Sequence, residues 1–387
     1  MLKQLKESLE KERAALRKLS DSIWNHPEIG YHETFACKTA TDFLHNHGYD
    51  VTTPFCNLDT AFRAEFHNGD GPTFAFCSEF DALAGLGHGC GHNLICAGGI
   101  AAFLATANYM KQNNVHGTIV LLGTPAEESY GGKVKMEEAG CLNGIDAVIM
   151  AHPGSCNTPD NGCSAVIGYE VTFHGRAAHA GGSPEKGINA LDAVNLLFTG
   201  INAYRQQMPD TARLHGIITN GGDAPNIIPD KASCRFYIRS TIEDQLEPLK
   251  ERFLDMVKGA ELMTHTTAEL SVFHLLYHAS KPNPTMNDAF VHLMEQFGEK
   301  VVIPKRVGRG STDFGNFSQR IPGCHFHFAI VESGECPAHS IPFREAAAKD
   351  YGFEHMLMSS AAMAKIAIDF MTDKIFHDKV IADFNGK

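Results

Sequence analysis

Five residues of metal-binding type lie at or beyond the ends of four strand-like apolar runs. The runs cover residues 73–77, 118–122, 147–151 and 325–331. In an open α/β sheet, ligands gather just beyond the carboxyl ends of the strands, so we expect these side chains to share one crevice. They are Cys90, His92, Glu128, His152 and His339. A thiolate, three imidazoles and a carboxylate form a ligand set for zinc or a similar transition metal.

Cys90 and His92 lie in a loop with glycines at positions 85, 87, 89 and 91, which allow tight turns. Both side chains could therefore reach the same ions. The loop has neither the spacing of a dinucleotide fingerprint nor the Lys and Ser/Thr of a phosphate loop. Taken alone, the pair fits a buried cysteine beside a structural histidine equally well.

Glu127 and Glu128 are adjacent carboxylates at the end of an apolar run. One could bind a metal while its neighbour takes a proton from water whose pKa the metal has lowered, as in metal-assisted amide hydrolysis. A solvated acidic turn is the alternative. His152 and His339, two of 21 histidines, gain weight only because four strand ends carry suitable residues.

Length and composition exclude several classes of function. The chain has 387 residues and a net charge of -12, which disfavours nucleic acid or an anionic membrane as a partner. We find no uncharged apolar run of 18 residues and no apolar signal-peptide core at the N-terminus. The 11 cysteines are scattered, which favours free thiols in a reducing cytoplasm.

The order of elements predicts two domains. Apolar strands alternate with helices over residues 1–165 and 280–387, which indicates an α/β domain with a mostly parallel sheet covered on both faces. Residues 166–279 follow the order β-α-β-β-α-β of a ferredoxin-like unit. The sequence thus predicts a small α+β domain inserted into a larger α/β domain.

The motifs together resemble the di-metal amidohydrolases, a family that includes aminoacylases, hippurate hydrolases and indole-acetyl-amino-acid hydrolases. The likeness covers residues 24–33, 79–83, 87–93, 123–128, 151–154, 173–180, 224–230, 310–313 and 338–339. Gly-His-Gly-Cys-Gly-His-Asn at 87–93 and His-Gly-Ile-Ile-Thr at 215–219 are most similar to the aminobenzoyl-glutamate hydrolase-like branch.

The resemblance implies roles for individual residues. The five ligands named above would hold two divalent metal ions. Glu127 would be the general base and proton shuttle, and Asp81 a carboxylate that orients a ligand. His179 would stabilise the oxyanion, in its own subunit or across a dimer. Asn226 and Arg239 would bind the carboxylate end of the substrate. The inserted domain would act as a lid and a dimerisation surface.

The chain departs from the wider family at Glu79-Phe80-Asp81, where many members have His-x-Asp. One usual imidazole ligand is therefore absent, and Cys90 is expected to compensate. A thiolate favours zinc or another soft ion, whereas Glu and His also accept manganese.

Three functions remain open from the sequence. The first is metal-dependent hydrolysis of the amide bond in a small N-acyl amino acid, aminobenzoyl-glutamate or a dipeptide. The second is a thiol hydrolase with Cys90 as nucleophile and His92 as its base. The third is a non-catalytic protein with a relic metal site. Chelation separates the first two, because a thiol enzyme should survive it.

Overall fold

The chain divides into two compact units. The computed structural model describes residues 1–332, 334 and 336–386, with every side chain among them except that of Ser129. The first unit comprises Met1–Gly162, Ser280–Val307 and Thr312–Lys387, and the second comprises Cys163–Ala279 and Gly308–Ser311. The sequence placed the inserted domain at 166–279. The short second segment joins it because Ser164 N–H donates to the Gly310 carbonyl at 2.8 Å.

The strands of the described residues form two sheets. They are β1 (Val51–Thr52), β2 (Phe62–His67), β3 (Thr73–Ser78), β4 (Thr118–Gly123), β5 (Ala147–Gly154), β6 (Ala165–His174), β7 (Ala212–Asn220), β8 (Lys231–Ser240), β9 (Thr267–Tyr277) and β10 (Gly323–Ala329). The first sheet has the order β1-β2-β4-β3-β5-β10 and the second has the order β7-β8-β6-β9.

The α-helices of the described residues lie mainly between these strands. They are α1 (Leu2–Trp24), α2 (Thr34–Asn46), α3 (His92–Asn113), α4 (Glu127–Tyr130), α5 (Gly132–Glu138), α6 (Ala190–Tyr204), α7 (Leu246–Thr264), α8 (Pro284–Gln296), α9 (Phe314–Ser318), α10 (Ile341–Ala346), α11 (Asp350–Thr372) and α12 (Lys374–Phe384). The leucine stripe predicted for α1 is buried.

The first sheet is mostly parallel, as predicted. Strands β4, β3, β5 and β10 are neighbours and run in the same direction, while β1 and β2 are antiparallel. Side chains alternate between two cores: Phe74 and Phe76 pack with α1, α3 and α11, whereas Ala75 and Cys77 pack on the opposite face. Burial on both faces explains why these strands are almost continuously apolar.

Helix α3 passes through the core of the first unit, where it packs against α1 and α11. It begins at His92, five residues before the predicted start, because Gly91 adopts a φ of 71° and turns the loop directly into the helix. Among the described residues it is the one helix long and apolar enough to cross a membrane. However, 89% of that apolar window is buried inside the protein.

The second unit has the ferredoxin-like order predicted from the sequence. Its sheet is antiparallel throughout. Helices α6 and α7 pack together and against this sheet, around a core that includes Val171, Phe173, Leu197, Phe236 and Phe253. Strands β7 and β9 form the two edges of the sheet.

Candidate functional site

The four parallel strands of the first unit bring the predicted ligands to one edge of the sheet. Cys90 and His92 follow β3, Glu128 follows β4, and His339 follows β10. His152 lies within β5, which continues to Gly154 instead of ending at residue 151. The backbone of His339 is tied to the glycine-rich loop, because its N–H donates to the Gly89 carbonyl at 3.0 Å.

The ligand atoms form two overlapping groups. One consists of Cys90, His92 and His152, and the other of Cys90, Glu128 and His339. Within each group the ligand atoms lie within 4.8 Å of one another. All five predicted ligands are therefore brought together, and Cys90 belongs to both groups. A thiolate at this position could contact two ions at once.

Asp81 holds two of these ligands in place. Its Oδ1 lies 3.0 Å from Nδ1 of His92, and its Oδ2 accepts the backbone N–H of Glu128 at 2.9 Å. Burial alone would raise the pKa of Asp81, but His92 and these hydrogen bonds lower it below its ordinary value. An ionised Asp81 fixes the proton of His92 on Nδ1, so that Nε2 presents a lone pair.

The atoms that face this centre suit cations. Within the described residues, His92 Nε2, Glu79 Oε2 and Glu128 Oε1 are buried and have no hydrogen-bond partner. His92 Nε2 lies 3.5 Å from Glu79 Oε2 and 3.9 Å from Glu128 Oε1. His339 Nε2 lies 3.6 Å from Glu128 Oε2. Acceptors this close to one another repel unless positive charge lies among them, so the residues present fit divalent metal ions.

Glu127 opens α4 directly beside the ligand Glu128. Burial and the nearby carboxylates of Glu79 and Glu128 raise the pKa of Glu127 well above its ordinary value. The preceding residue, Ala126, has a left-handed φ of 59°, which L-residues adopt at a cost. The buried carboxylate of Glu33 holds that turn, because it accepts the Ala126 N–H at 2.8 Å.

Lys133 is a member of this site that the sequence did not reveal. It is completely buried, and its Nζ donates to Glu79 Oε1 at 2.5 Å and to Asp313 Oδ1 at 2.7 Å. Glu79, Asp313 and Glu127 form a group of carboxylates whose ligand oxygens lie within 4.8 Å of one another. The Lys133 ammonium offsets this charge. Glu79, at the position of the usual imidazole, therefore pairs with a lysine.

His325 and His327 also escaped the sequence analysis. They lie on β10 beside His152, and the three imidazoles form a further group with ligand atoms within 4.8 Å. Burial lowers the pKa of all three, that of His327 to about 4, so the rings are neutral. The spacing of two residues on a predicted strand was the available signal, since it places both rings on one face.

His179 and Asn226 are neighbours in the second unit. The Ala180 N–H donates to the Asn226 carbonyl at 2.9 Å, and both side chains are exposed. Nδ1 of His179 accepts the backbone N–H groups of Gly181 at 3.2 Å and Gly182 at 2.9 Å. The neutral imidazole therefore carries its proton on Nε2, which is then a hydrogen-bond donor.

Arg239 lies on β8 of the second unit and is half-buried. Its Nη1 donates to Ser311 Oγ at 3.1 Å, and its guanidinium stacks over Tyr237 with 5.1 Å to the ring centroid. Within the described residues its Nε is buried without a hydrogen-bond partner. Burial lowers its pKa. A guanidinium with unused donors is suited to a carboxylate.

Comparison with known proteins identifies the family. The family model described as "Peptidase family M20/M25/M40" matches residues 68–362. The chain belongs to this family. As a member, it is a metal-dependent peptidase or amidohydrolase.

Two curated relatives cover most of this peptidase. It is 35% identical over 400 residues to the Xaa-Arg dipeptidase of Mus musculus, across 98% of this chain and 91% of the mouse protein. It is 34% identical over 314 residues to one of the polypeptides of the p-aminobenzoyl-glutamate hydrolase of Escherichia coli strain K12, across 76% of this chain and 64% of that protein.

Solved structures share the fold of this M20 peptidase. A putative aminohydrolase from methicillin-resistant Staphylococcus aureus aligns with a TM-score of 0.79 at 21% identity, across 96% of this chain and 100% of that one. A dinuclear metal-binding M20 peptidase from Bacillus subtilis aligns with a TM-score of 0.69 at 21% identity, across 93% and 99%.

Membership of the M20 family favours metal-dependent hydrolysis over the two alternatives. In addition, burial raises the pKa of the Cys90 thiol, which opposes its use as a free thiolate nucleophile. The ligand groups that include Cys90 give this cysteine a different use.

Proposed function

We propose that this peptidase hydrolyses small dipeptides that have a free carboxylate and a basic side chain on the C-terminal residue. The support for amide hydrolysis is one arrangement, in which Glu127 lies beside two ligand groups that share Cys90. The support for a basic dipeptide is the likeness to the mouse Xaa-Arg dipeptidase over 98% of the chain. A net charge of -12 also attracts cationic substrates.

We assign one ion to Cys90, His92 and His152 and the other to Cys90, Glu128 and His339. When bound, two such ions supply Lewis acidity to the scissile carbonyl and a nucleophilic water at neutral pH. The thiolate of Cys90 favours zinc over manganese.

The residues of the chain provide the proton transfers. Glu127 accepts a proton from the attacking water and then delivers it to the leaving amine, which makes it both general base and general acid. Its raised pKa suits both roles, because the protonated form persists at higher pH than for an ordinary glutamate. Asp81 keeps His92 oriented during this cycle.

The second unit supplies binding groups in this proposal. His179 donates from Nε2 to the oxygen that develops negative charge in the transition state. Arg239 and Asn226 bind the C-terminal carboxylate of the dipeptide, and Arg239 can do so with two parallel hydrogen bonds.

We also propose a homodimer formed through the second unit. Its edge strands expose large apolar side chains, with Ile217 64% and Ile218 45% exposed on β7 and Val272 50% exposed on β9. A sheet edge of this kind is a template for pairing with another chain. Sedimentation should show a dimer for the wild-type protein and a monomer for Ile217→Lys. A wild-type monomer at micromolar concentration would contradict the dimer.

A second candidate is aminobenzoyl-glutamate, favoured by the likeness to the Escherichia coli hydrolase. It differs from the basic dipeptide in the charge of the terminal residue's side chain.

A substrate panel tests these proposals. The metal-loaded protein should be assayed with Xaa-Arg, Xaa-Lys and Xaa-Glu dipeptides, aminobenzoyl-glutamate and N-acetyl amino acids, with Glu127→Gln as the inactive control. We expect kcat/KM to be highest for the basic dipeptides, by about tenfold or more, equivalent to about 1.4 kcal/mol. A preference for aminobenzoyl-glutamate would replace the first candidate with the second. No turnover of any amide would contradict both.

A further inference from the structure

His152, His325 and His327 form a cluster of imidazoles that the reaction proposed above does not use in full. In the parallel pairing of β5 and β10, His327 is opposite His152, and His325 lies two residues earlier on the same face. The ring centroids of His325 and His327 are 5.0 Å apart. They lie 5.4 Å and 5.6 Å, respectively, from that of His152.

Two nitrogens of this cluster lack partners. Within the described part of the chain, Nε2 of His325 and Nδ1 of His327 are buried without a hydrogen bond. His325 as a whole is 7% exposed. A buried polar atom without a partner costs free energy that a ligand would recover. Two such atoms beside a third imidazole are therefore a specific sign of a bound ion.

We propose that His152, His325 and His327 form a further position for a zinc ion, next to the two groups that contain Cys90. The ligand atoms of the three histidines lie within 4.8 Å of one another. Three imidazoles suit zinc, copper or nickel, whereas manganese prefers oxygen ligands. The proposal concerns the metal centre and does not depend on which amide the enzyme cleaves.

His152 is shared between this position and the group with Cys90 and His92. Its Nδ1 donates to the Pro153 carbonyl at 2.7 Å, which leaves one lone pair, on Nε2. That lone pair can bind one ion at a time. A zinc ion at the imidazole cluster therefore withdraws His152 from Cys90 and His92, and excess zinc inhibits the enzyme.

Zinc uptake by matched variants tests the proposal. His325→Phe and His327→Phe keep an aromatic ring but remove the lone pair, and His116→Phe removes an exposed imidazole elsewhere as a control. Zinc per chain should be measured by elemental analysis over a range of buffered free zinc, with manganese as the comparison ion.

At high free zinc we expect the wild-type protein and His116→Phe to take up one zinc ion more than His325→Phe or His327→Phe. In manganese all four proteins should bind the same number of ions. Excess zinc should lower the kcat of the wild-type protein by about tenfold or more and leave that of His327→Phe unchanged. Equal zinc uptake by all four proteins would overturn the proposal, because the imidazoles would then be packing groups only.

A second measurement removes the dependence on variants that fail to fold. Wild-type crystals soaked in zinc should give an anomalous peak about 2.0–2.1 Å from both His325 Nε2 and His327 Nδ1. Peaks at the two Cys90 groups without one at the imidazole cluster would overturn the proposal. In that case the proposed hydrolysis would still stand.

Discussion

Lys133 and Glu79 form a buried ion pair, with 2.5 Å between Nζ and Oε1, beside the residues that carry the chemistry. Neither side chain is more than 1% exposed. The other oxygen of Glu79 lies 3.5 Å from Nε2 of His92, so one carboxylate joins the lysine to a metal-ligand imidazole. The pair links α5 to the loop that follows β3.

Replacing Lys133 with methionine should destabilise the first unit by about 3–5 kcal/mol, because Glu79 and Asp313 would be left buried without a cation. The free energy of unfolding, measured in urea, checks this. The double variant Lys133→Met/Glu79→Gln should recover much of the loss, since it removes both members of the pair. Lys135→Met is the control, because Lys135 is exposed on the same helix. Equal stability of the two single lysine variants would contradict a structural role for the pair.

Asp81→Asn should weaken metal binding by about 10–100-fold, because an asparagine does not fix the proton of His92 on Nδ1 as a carboxylate does. Calorimetric titration of the metal-free protein checks the affinity. Asp70→Asn, on a surface turn, is the control and should bind metal as the wild-type protein does. Unchanged affinity in Asp81→Asn would show that the carboxylate does not orient this ligand.

His179→Ala should lower kcat by about 100-fold or more, through loss of a hydrogen bond made in the transition state. Metal content should be unchanged, because the residue belongs to neither ligand group. The variant His174→Ala, which changes an exposed histidine of the same unit, should keep normal activity. A rise in KM with constant kcat would indicate ground-state binding instead.

Glu33 predicts a pH dependence of stability. Burial raises its pKa to about 7, above the ordinary value of 4.5. A carboxyl whose folded pKa is raised favours the folded state in its protonated form. Its contribution is therefore complete below pH 4.5 and is lost as the pH rises through 7. Unfolding free energies of the wild-type protein and Glu33→Gln should diverge by about 3 kcal/mol between pH 4.5 and pH 8, with the wild-type protein losing more. Parallel pH profiles would contradict the raised pKa.

The sequence predicted the residues whose position follows from strand order. Cys90, Glu128 and His152 lie where the ends of neighbouring parallel strands must place them, so a correct strand order was enough. Lys133 could not be found in this way. It shares a short helix with Lys135, and the local sequence gives no reason for one lysine to be buried and the other exposed. The difference arises from Asp313, which is distant in the chain.

The neighbouring positions of His179 and Asn226 depend on a similar long-range contact. Their segments pair through the backbone of Ala180 and Asn226. The tautomer of His179 is set by Gly181 and Gly182, whose N–H groups reach its Nδ1 only because the chain turns there. Such turns depend on φ and ψ angles that residue types restrict but do not determine.

The most direct test of the catalytic centre compares the wild-type protein with Glu127→Gln for metal content and dipeptide hydrolysis. We predict that both proteins bind two divalent ions per chain and that the variant loses turnover by about 100-fold or more. Chelation should abolish wild-type activity, and two equivalents of zinc should restore it. Full activity in the chelated protein, or near-normal turnover by Glu127→Gln, would contradict the account.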